Sequence, residues 1–214
     1  MIAIVRMKAQ ERPERLWDSV VTHTEEIQER LHERGRLLYM SRRAKHEDVS
    51  LFVHVADSDV LGSVITDELG RIKNLTSCWV INMLKPVFFP LPKDTSKMKR
   101  YVITLRVFPS HLREVYERLL RAVMPLGVMM AYLALTFHLY GDCLQFSALA
   151  EDERVLNRFI ADKVRNLPGV LKTTVNYVER TKPLISYDEW KKYSIRHSLI
   201  PSWNERLMVD QFGN

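Results

Sequence analysis

Two short polar stretches hold the residue types best suited to chemistry. One is His46-Glu47-Asp48 and the other is Gly141-Asp142. Each stands between two apolar runs, so each reads as a hairpin turn. An aspartate beside a tight turn can accept hydrogen bonds from an ammonium group, and free backbone amides there can take a carboxylate. That chemistry suits holding a small ligand of amino-acid type rather than cleaving a bond. The same residues are also turn formers, since Asp favours turns and Gly admits positive φ. Ser77 and Thr173, at the starts of two later strands, either offer hydroxyls to the same pocket or simply suit a strand. The candidate binding set is His46, Asp48, Ser77, Gly141, Asp142 and Thr173, with no catalytic and no metal-ligating set beside it.

His54 and His138 fall on strands and could serve as an acid or base, or as a haem or metal ligand. No second ligand stands at a recognisable spacing from either. His23, His32 and His111 sit in charged helical surroundings and read as solvated. Cys143 follows Asp142 and has no basic neighbour to make it a thiolate. The two cysteines, Cys78 and Cys143, form no CxxC pair, so they read as reduced core thiols of a cytoplasmic protein. There is no Gly-rich phosphate loop, no HExxH and no GxSxG, and no cofactor is expected. Three basic groups remain: Arg42, Arg43 and Lys45; Lys97, Lys99 and Arg100; and Lys191, Lys192 and Arg196, interleaved with Trp190 and Tyr193. Basic residues among aromatics suit nucleic acid, but they equally suit solvated charge around anchoring rings. The net charge of +6 is mild and forms no continuous stripe, so direct DNA binding is not favoured.

The elements that must position these residues are written twice. Asp57–Val80 lies over Asp152–Val175 at an offset of 95 residues. Apolar positions coincide at Val60/Val155, Leu61/Leu156, Ile65/Ile160, Leu69/Val164, Ile72/Leu167 and Leu75/Val170, one face of an amphipathic helix in each copy. Each copy starts on an Asp suited to an N-cap and stops on a residue that tolerates the left-handed conformation, Asn74 or Gly169. Ahead of each copy run a strand (IAIVRM or YVITLRVF), a helix (Pro13–Arg34 or Ser110–Val123, with Ser110 as a plausible N-cap) and a hairpin. Each half reads β-α-β-β-α-β, the ferredoxin-like unit. The expected class is α+β: a first domain over 1–89, a linker over 90–100, a second domain over 101–184 and a tail over 185–214 whose Trp190, Tyr193 and Trp203 suggest docking. The strands are apolar on both faces, which predicts that the face away from the helices is covered too, most simply by the other half's sheet, like a dimeric α+β barrel within one chain. The start is not a signal peptide, and no apolar run reaches the roughly 18 residues that cross a bilayer, so no membrane partner is expected.

Tyr140–Lys182 resembles the effector-binding (RAM) domain of the Lrp/AsnC regulators. The likeness rests on Gly141-Asp142, an alternating strand, the Asp152-capped helix, Leu167-Pro168-Gly169-Val170 and Thr173-Thr174. His46–Leu69 matches the same core, with Asp48 at the later loop Asp. Lys45 replaces the loop Gly in the first half, and Leu144 replaces the later loop Asp in the second. The chain opens on a strand, which leaves no room for the family's helix-turn-helix domain. The resemblance implies a cytoplasmic regulator, two RAM-type domains without a DNA-binding domain. It would bind a small effector, such as an amino acid, between packed domains and act through a homo-oligomer or a transcription-regulator partner. Two alternatives stand beside it: an enzyme of the dimeric α+β barrel type, haem-related or decarboxylase-like, and a scaffold that binds DNA or protein through the basic groups and the tail.

Overall fold

The computed structural model describes residues 1–9, 13–137, 141 and 143–200. Its class is α+β, as expected, with eight strands and five α-helices among the described residues. The chain forms two compact units. The first is Met1–Met83 with Val178–Ser186, and the second is Leu84–Tyr177 with the described residues from Tyr187 on.

In the first unit, β1 (Ile2–Ala9) leads into α1 (Pro13–Leu31), then β2 (Gly35–Arg43), β3 (Asp48–Val55), α2 (Ser58–Ser63) and β4 (Leu75–Phe88). Its sheet runs β4–β1–β3–β2 and is completed at the β2 edge by the end of β8 (Val170–Pro183). The ladders β1–β3, β1–β4 and β2–β3 are all antiparallel. Ala3, Val5 and Met7 meet Leu16, Trp17, Val20 and Ile27 of α1 and Val60, Leu61 and Val64 of the second helical stretch in one core. The other face of β1 is buried as well: Ile2 and Ile4 are as inaccessible as Ala3 and Val5. That is why the strand shows no polar alternation in sequence.

The second unit repeats the order with β5 (Lys99–Val107), α3 (Leu112–Leu120), β6 (Val128–Phe137), β7 (Leu144–Ala150), α4 (Glu153–Phe159) and the start of β8. Tyr101, Ile103, Leu105, Val115, Tyr116, Leu119, Leu133, Phe146, Leu156 and Ile160 form its core. α5 (Tyr187–Arg196) follows, and Trp190 sets its ring edge-on to Phe88 at 5.2 Å. This is the docking that the tail's aromatic residues predicted; Trp203 lies outside the described residues.

The caps are built as the sequence implies. Asp57 accepts from the amides of Asp59 and Val60, and Asp152 from that of Arg154. The two helix stops are left-handed, Asn74 at φ 71 and Gly169 at φ 83. Ser110 is not an N-cap, because Pro109–His111 forms a 3-10 turn ahead of α3 and no side chain caps that helix. The predicted linker ends early: Lys99 and Arg100 already belong to β5. Two features have no sequence signal. Both capped helices continue into one π-helical turn, Val64–Glu68 and Ile160–Val164. Both hairpins carry a bulge, between Leu37 and Tyr39 and between Met130 and Tyr132. Each bulge lets Leu37 and Met40, or Met130 and Leu133, both face the helices while the intervening tyrosine turns away.

Candidate functional site

The first unit's sheet face away from its helices holds a charged cluster. In register, Arg6 of β1 faces Ser50 of β3 and Trp79 of β4, and Lys8 faces Asp48 and Ser77. Directly opposed residues of an antiparallel pair share a face, so these six side chains stand on one surface. Ser41 of β2 faces Ser50, and Arg43 follows it on the same side. Arg43 donates from Nη2 to Asp48 Oδ2 at 2.6 Å, and Arg6 Nε lies 3.7 Å from the same oxygen. Arg6 and Arg43 are each 8% exposed and Asp48 only 2%. Two guanidinium groups thus meet at one carboxylate away from water.

Hydrogen bonding in the cluster is incomplete. Asp48 Oδ1, Arg43 Nε and Trp79 Nε1 are buried and have no hydrogen-bond partner in the protein. Such atoms cost free energy unless something else pairs with them. The cluster also lies at a rim. Lys8 and Ser77 on the same face, and Lys45, His46 and Glu47 in the adjoining turn, are exposed. Lys45 holds φ 62, so it takes the backbone conformation that a glycine would take there.

Among the residues singled out in the sequence, Asp48 and Ser77 are therefore brought to one surface, with His46 in the turn beside it. Gly141 lies in the second unit at φ 75, and a Cβ there would stand 3.6 Å from Arg106 Nε. Thr173 belongs to β8 of that unit, two residues before the core residue Val175, and its hydroxyl is buried without a partner. The alternation of β8 puts Thr173 on the helix-facing side, so it does not share a surface with the residues that face away. Asp142 and His138 lie outside the described residues. Arg43, expected to be solvated with Arg42 and Lys45, is instead buried in an ion pair, and Arg42 bridges Glu14 and Glu179. Arg6 and Trp79 were missed. The signal for Arg6 was present: a lone charge inside the apolar run IAIVRM must be partnered if the strand is buried on both faces.

None of the described histidines is buried, and no group of three or more His, Cys, Asp or Glu among the described residues could hold a metal ion. His23 Nδ1 is engaged by the Ser19 carbonyl at 2.7 Å, and His197 packs on Tyr193 at 4.2 Å. His54 stands on the same face as the cluster, opposite Ile2 and Arg36. Both cysteines are free and half-buried, and burial pushes the Cys78 thiol up.

Solved structures resemble this chain over most of its length. A "putative monooxygenase" from Lactobacillus acidophilus superposes with a TM-score of 0.54 at 10% identity, covering 83% of this chain and 91% of that one. An anthrone oxidase-like protein gives 0.54 at 10% identity, covering 85% and 92%. A mutant chlorite dismutase from Candidatus Nitrospira defluvii gives 0.50 at 11% identity, covering 84% and 91%. The likeness shows the fold alone. No family model and no curated protein matches the sequence. These neighbours correct the Lrp/AsnC resemblance and the effector-regulator reading built on it, including a role in transcription and a regulator as partner. The physical reason is visible in the motifs that carried the resemblance. An Asp cap, a Leu-Pro-Gly-Val stop and a Thr-rich strand describe how a helix hands over to a strand, and that junction is common to ferredoxin-like units whatever they bind. No helix among the described residues is long and apolar enough to cross a membrane.

Proposed function

We propose that the chain is an oxidising enzyme, of the kind its structural neighbours are named for, whose reaction takes place on the charged sheet face of the first unit. The observation that carries this is the buried Arg43–Asp48 ion pair beside Arg6; its Arg43 Nε and Asp48 Oδ1 have no partner in the protein. Arg43 Nε is a buried donor with no acceptor in the protein; such a donor is costly, and an anion bound or formed beside it removes that cost. A substrate that passes through an enolate or phenolate would be stabilised there most when its charge is fully developed, which lowers the barrier to forming it. Such an electron-rich carbon is open to oxidation by dioxygen. An activated methylene and one dioxygen give a ketone and one water, a balance that draws its electrons from the substrate itself. Asp48 fixes Arg43, while Lys8, Ser77 and His46 border the approach from the rim.

The tandem arrangement, two ferredoxin-like units fused as a dimer within one chain, belongs to the same proposal and is supported by the sequence repeat. Self-association of the whole chain does too. The test is dioxygen uptake with anthrone and other activated methylene or hydroxyaromatic compounds. Wild-type protein is expected to consume dioxygen, and Arg43→Gln to lose about 100- to 1,000-fold of that rate, the usual cost of removing one donor to a developing oxyanion. A folded wild-type protein that consumes none across the panel overturns the oxidative reading.

A further inference from the structure

The helices of the two units share a buried pattern but not an outward charge. We infer that the helical face of the first unit binds the α4 face of the second unit in another copy of this chain, head to tail; this rests on the reading of the chain as self-associating. The sequence repeat makes the contrast plain. Residues 57–71 and 152–166 bury matching apolar stripes, yet their exposed positions differ in sign. The first stretch has four carboxylates and one arginine, the second three carboxylates and four cations. At the offset of 95 residues, Arg154 stands where Asp59 does, Arg158 where Ser63 does, Lys163 where Glu68 does and Arg165 where Gly70 does. The first helix adds to the acidic side. Residues 13–34 hold six carboxylates against three arginines, in a chain whose net charge is +6.

Many of these charges have partners inside the chain, and those left over are mostly of opposite sign in the two units. In the first unit Arg30 lies between Glu26 and Glu68, 3.0 Å from the latter, while Arg42 meets Glu14 and Arg180 meets Asp18. Glu25, Glu29, Glu33 and Asp59 are exposed and in no ion pair among the described residues. Glu25 and Glu29 stand about 6 Å apart along the helix, with Glu33 four residues further on, so like charges repel in a row. In the second unit α3 pairs Arg113 with Glu117 and Arg118 with Glu114. Asp152 is taken up by the cap of α4, and Glu153 lies against Tyr101. Arg154, Arg158, Lys163 and Arg165 are exposed, with Asp162 among them, and are in no ion pair among the described residues. Arg154 and Arg158 repeat the four-residue step of Glu25 and Glu29. Two such helices laid side by side set each glutamate against an arginine, and contact relieves the repulsion in both rows. Because the two faces differ, the contact is heterologous, and further copies can add until the set closes.

The experiment follows the mass of the full-length protein by sedimentation velocity over a range of concentrations. It is run at about 0.1 M and about 1 M salt, between which the screening length falls from about 10 Å to about 3 Å. Wild-type protein is expected to assemble at the lower salt and to dissociate at the higher. Glu25→Lys with Glu29→Lys turns the acidic row basic, and Arg154→Glu with Arg158→Glu turns the basic row acidic. Each double variant alone should associate at least about 100-fold more weakly. An equimolar mixture of the two should assemble again, because the basic rows of one meet the acidic rows of the other; damage to the fold would not be repaired by mixing. Wild-type protein that stays monomeric at the lower salt overturns this inference together with self-association. An assembly that survives both reversals, or a mixture that stays apart, overturns this inference alone. Dioxygen uptake is a separate readout: an assembly without turnover sinks the enzyme reading and leaves this one standing.

Discussion

Arg6 in the first unit and Thr104 in the second stand at matching places, facing Ser50 and Gln145 respectively. Those two partners lie equally far ahead of the capping aspartates, Asp57 and Asp152. The correspondence continues along the face. Ser41 matches Ala134, Arg43 matches Thr136, and Asp48 matches Cys143, while Tyr39 and Tyr132 sit just after equivalent bulges. Trp79 falls on Thr174 in the sequence repeat. One strand framework thus carries Arg6, Arg43 and Asp48 in one unit and the uncharged Thr104, Thr136 and Cys143 at the matching places in the other. There, Gln145 donates to the Tyr132 hydroxyl at 2.6 Å and Ser147 donates to the Tyr101 carbonyl at 3.0 Å. A framework that folds with neutral side chains at these three places has no structural need of Arg6, Arg43 and Asp48, which is why the proposed site lies on the charged version.

The comparison can be broken by substitution. Arg43→Ala leaves Asp48 buried beside Arg6 alone and is expected to cost about 3–5 kcal/mol in chemical denaturation. Thr136→Ala at the matching place removes no charge and should cost about 1 kcal/mol. Similar losses from the two would mean that the buried ion pair makes no greater demand on the fold than the neutral residues at the matching places. The next largest effect tests the helix stops. Gly169→Ala places a Cβ 2.4 Å from that of His111 on a backbone at φ 83, so it should cost more than the roughly 1–2 kcal/mol of left-handed strain alone. Asn74, at φ 71, already carries a side chain, so Asn74→Ala should cost clearly less.

The smallest effect is one of pH. Tyr101 takes the place that Ala3 has in the first unit. Burial, then the neighbouring Glu153 carboxylate, pushes its hydroxyl up to about 12. The folded protein therefore keeps a proton that the unfolded chain releases near pH 10. Stability is full below that point and falls as pH rises from about 10 toward 12. Tyr101→Phe should flatten part of this alkaline decline in thermal melts, with Tyr116, also raised by burial, supplying another part. An unchanged alkaline slope in Tyr101→Phe would assign the decline to groups elsewhere.

What could be read from the sequence was what local chemistry writes. Asp57 and Asp152 announce helix starts because a short carboxylate reaches free amides. Asn74 and Gly169 announce stops because they tolerate the left-handed backbone. The stripe of Val155, Leu156, Ile160 and Val164 announces a buried face. The candidate site was half legible. Asp48 and Ser77 were found by residue type, but their meaning depends on Lys8 standing opposite both, which only strand register supplies. Arg43 looked solvated because its neighbours Arg42 and Lys45 are charged too. The bulge after Leu37 decides which of these side chains turns inward, and nothing in Leu37-Leu38-Tyr39 marks it. Reading motifs of helix termini as motifs of ligand binding is what led to the regulator family.

The composition of the first sheet also sets a timetable for its assembly. Its β2 edge is closed by Val178–Pro183, which pair with Tyr39–Arg43. During synthesis β1, β2 and β3 leave the ribosome long before that partner exists. The nascent unit must therefore wait with β2 as an open edge, the kind of surface that recruits strands from other chains. Arg36, Arg42 and Arg43 lie along that edge strand. These charges, Arg43 of the proposed site among them, would thus first act as guards, keeping a half-built sheet from pairing with the wrong chain.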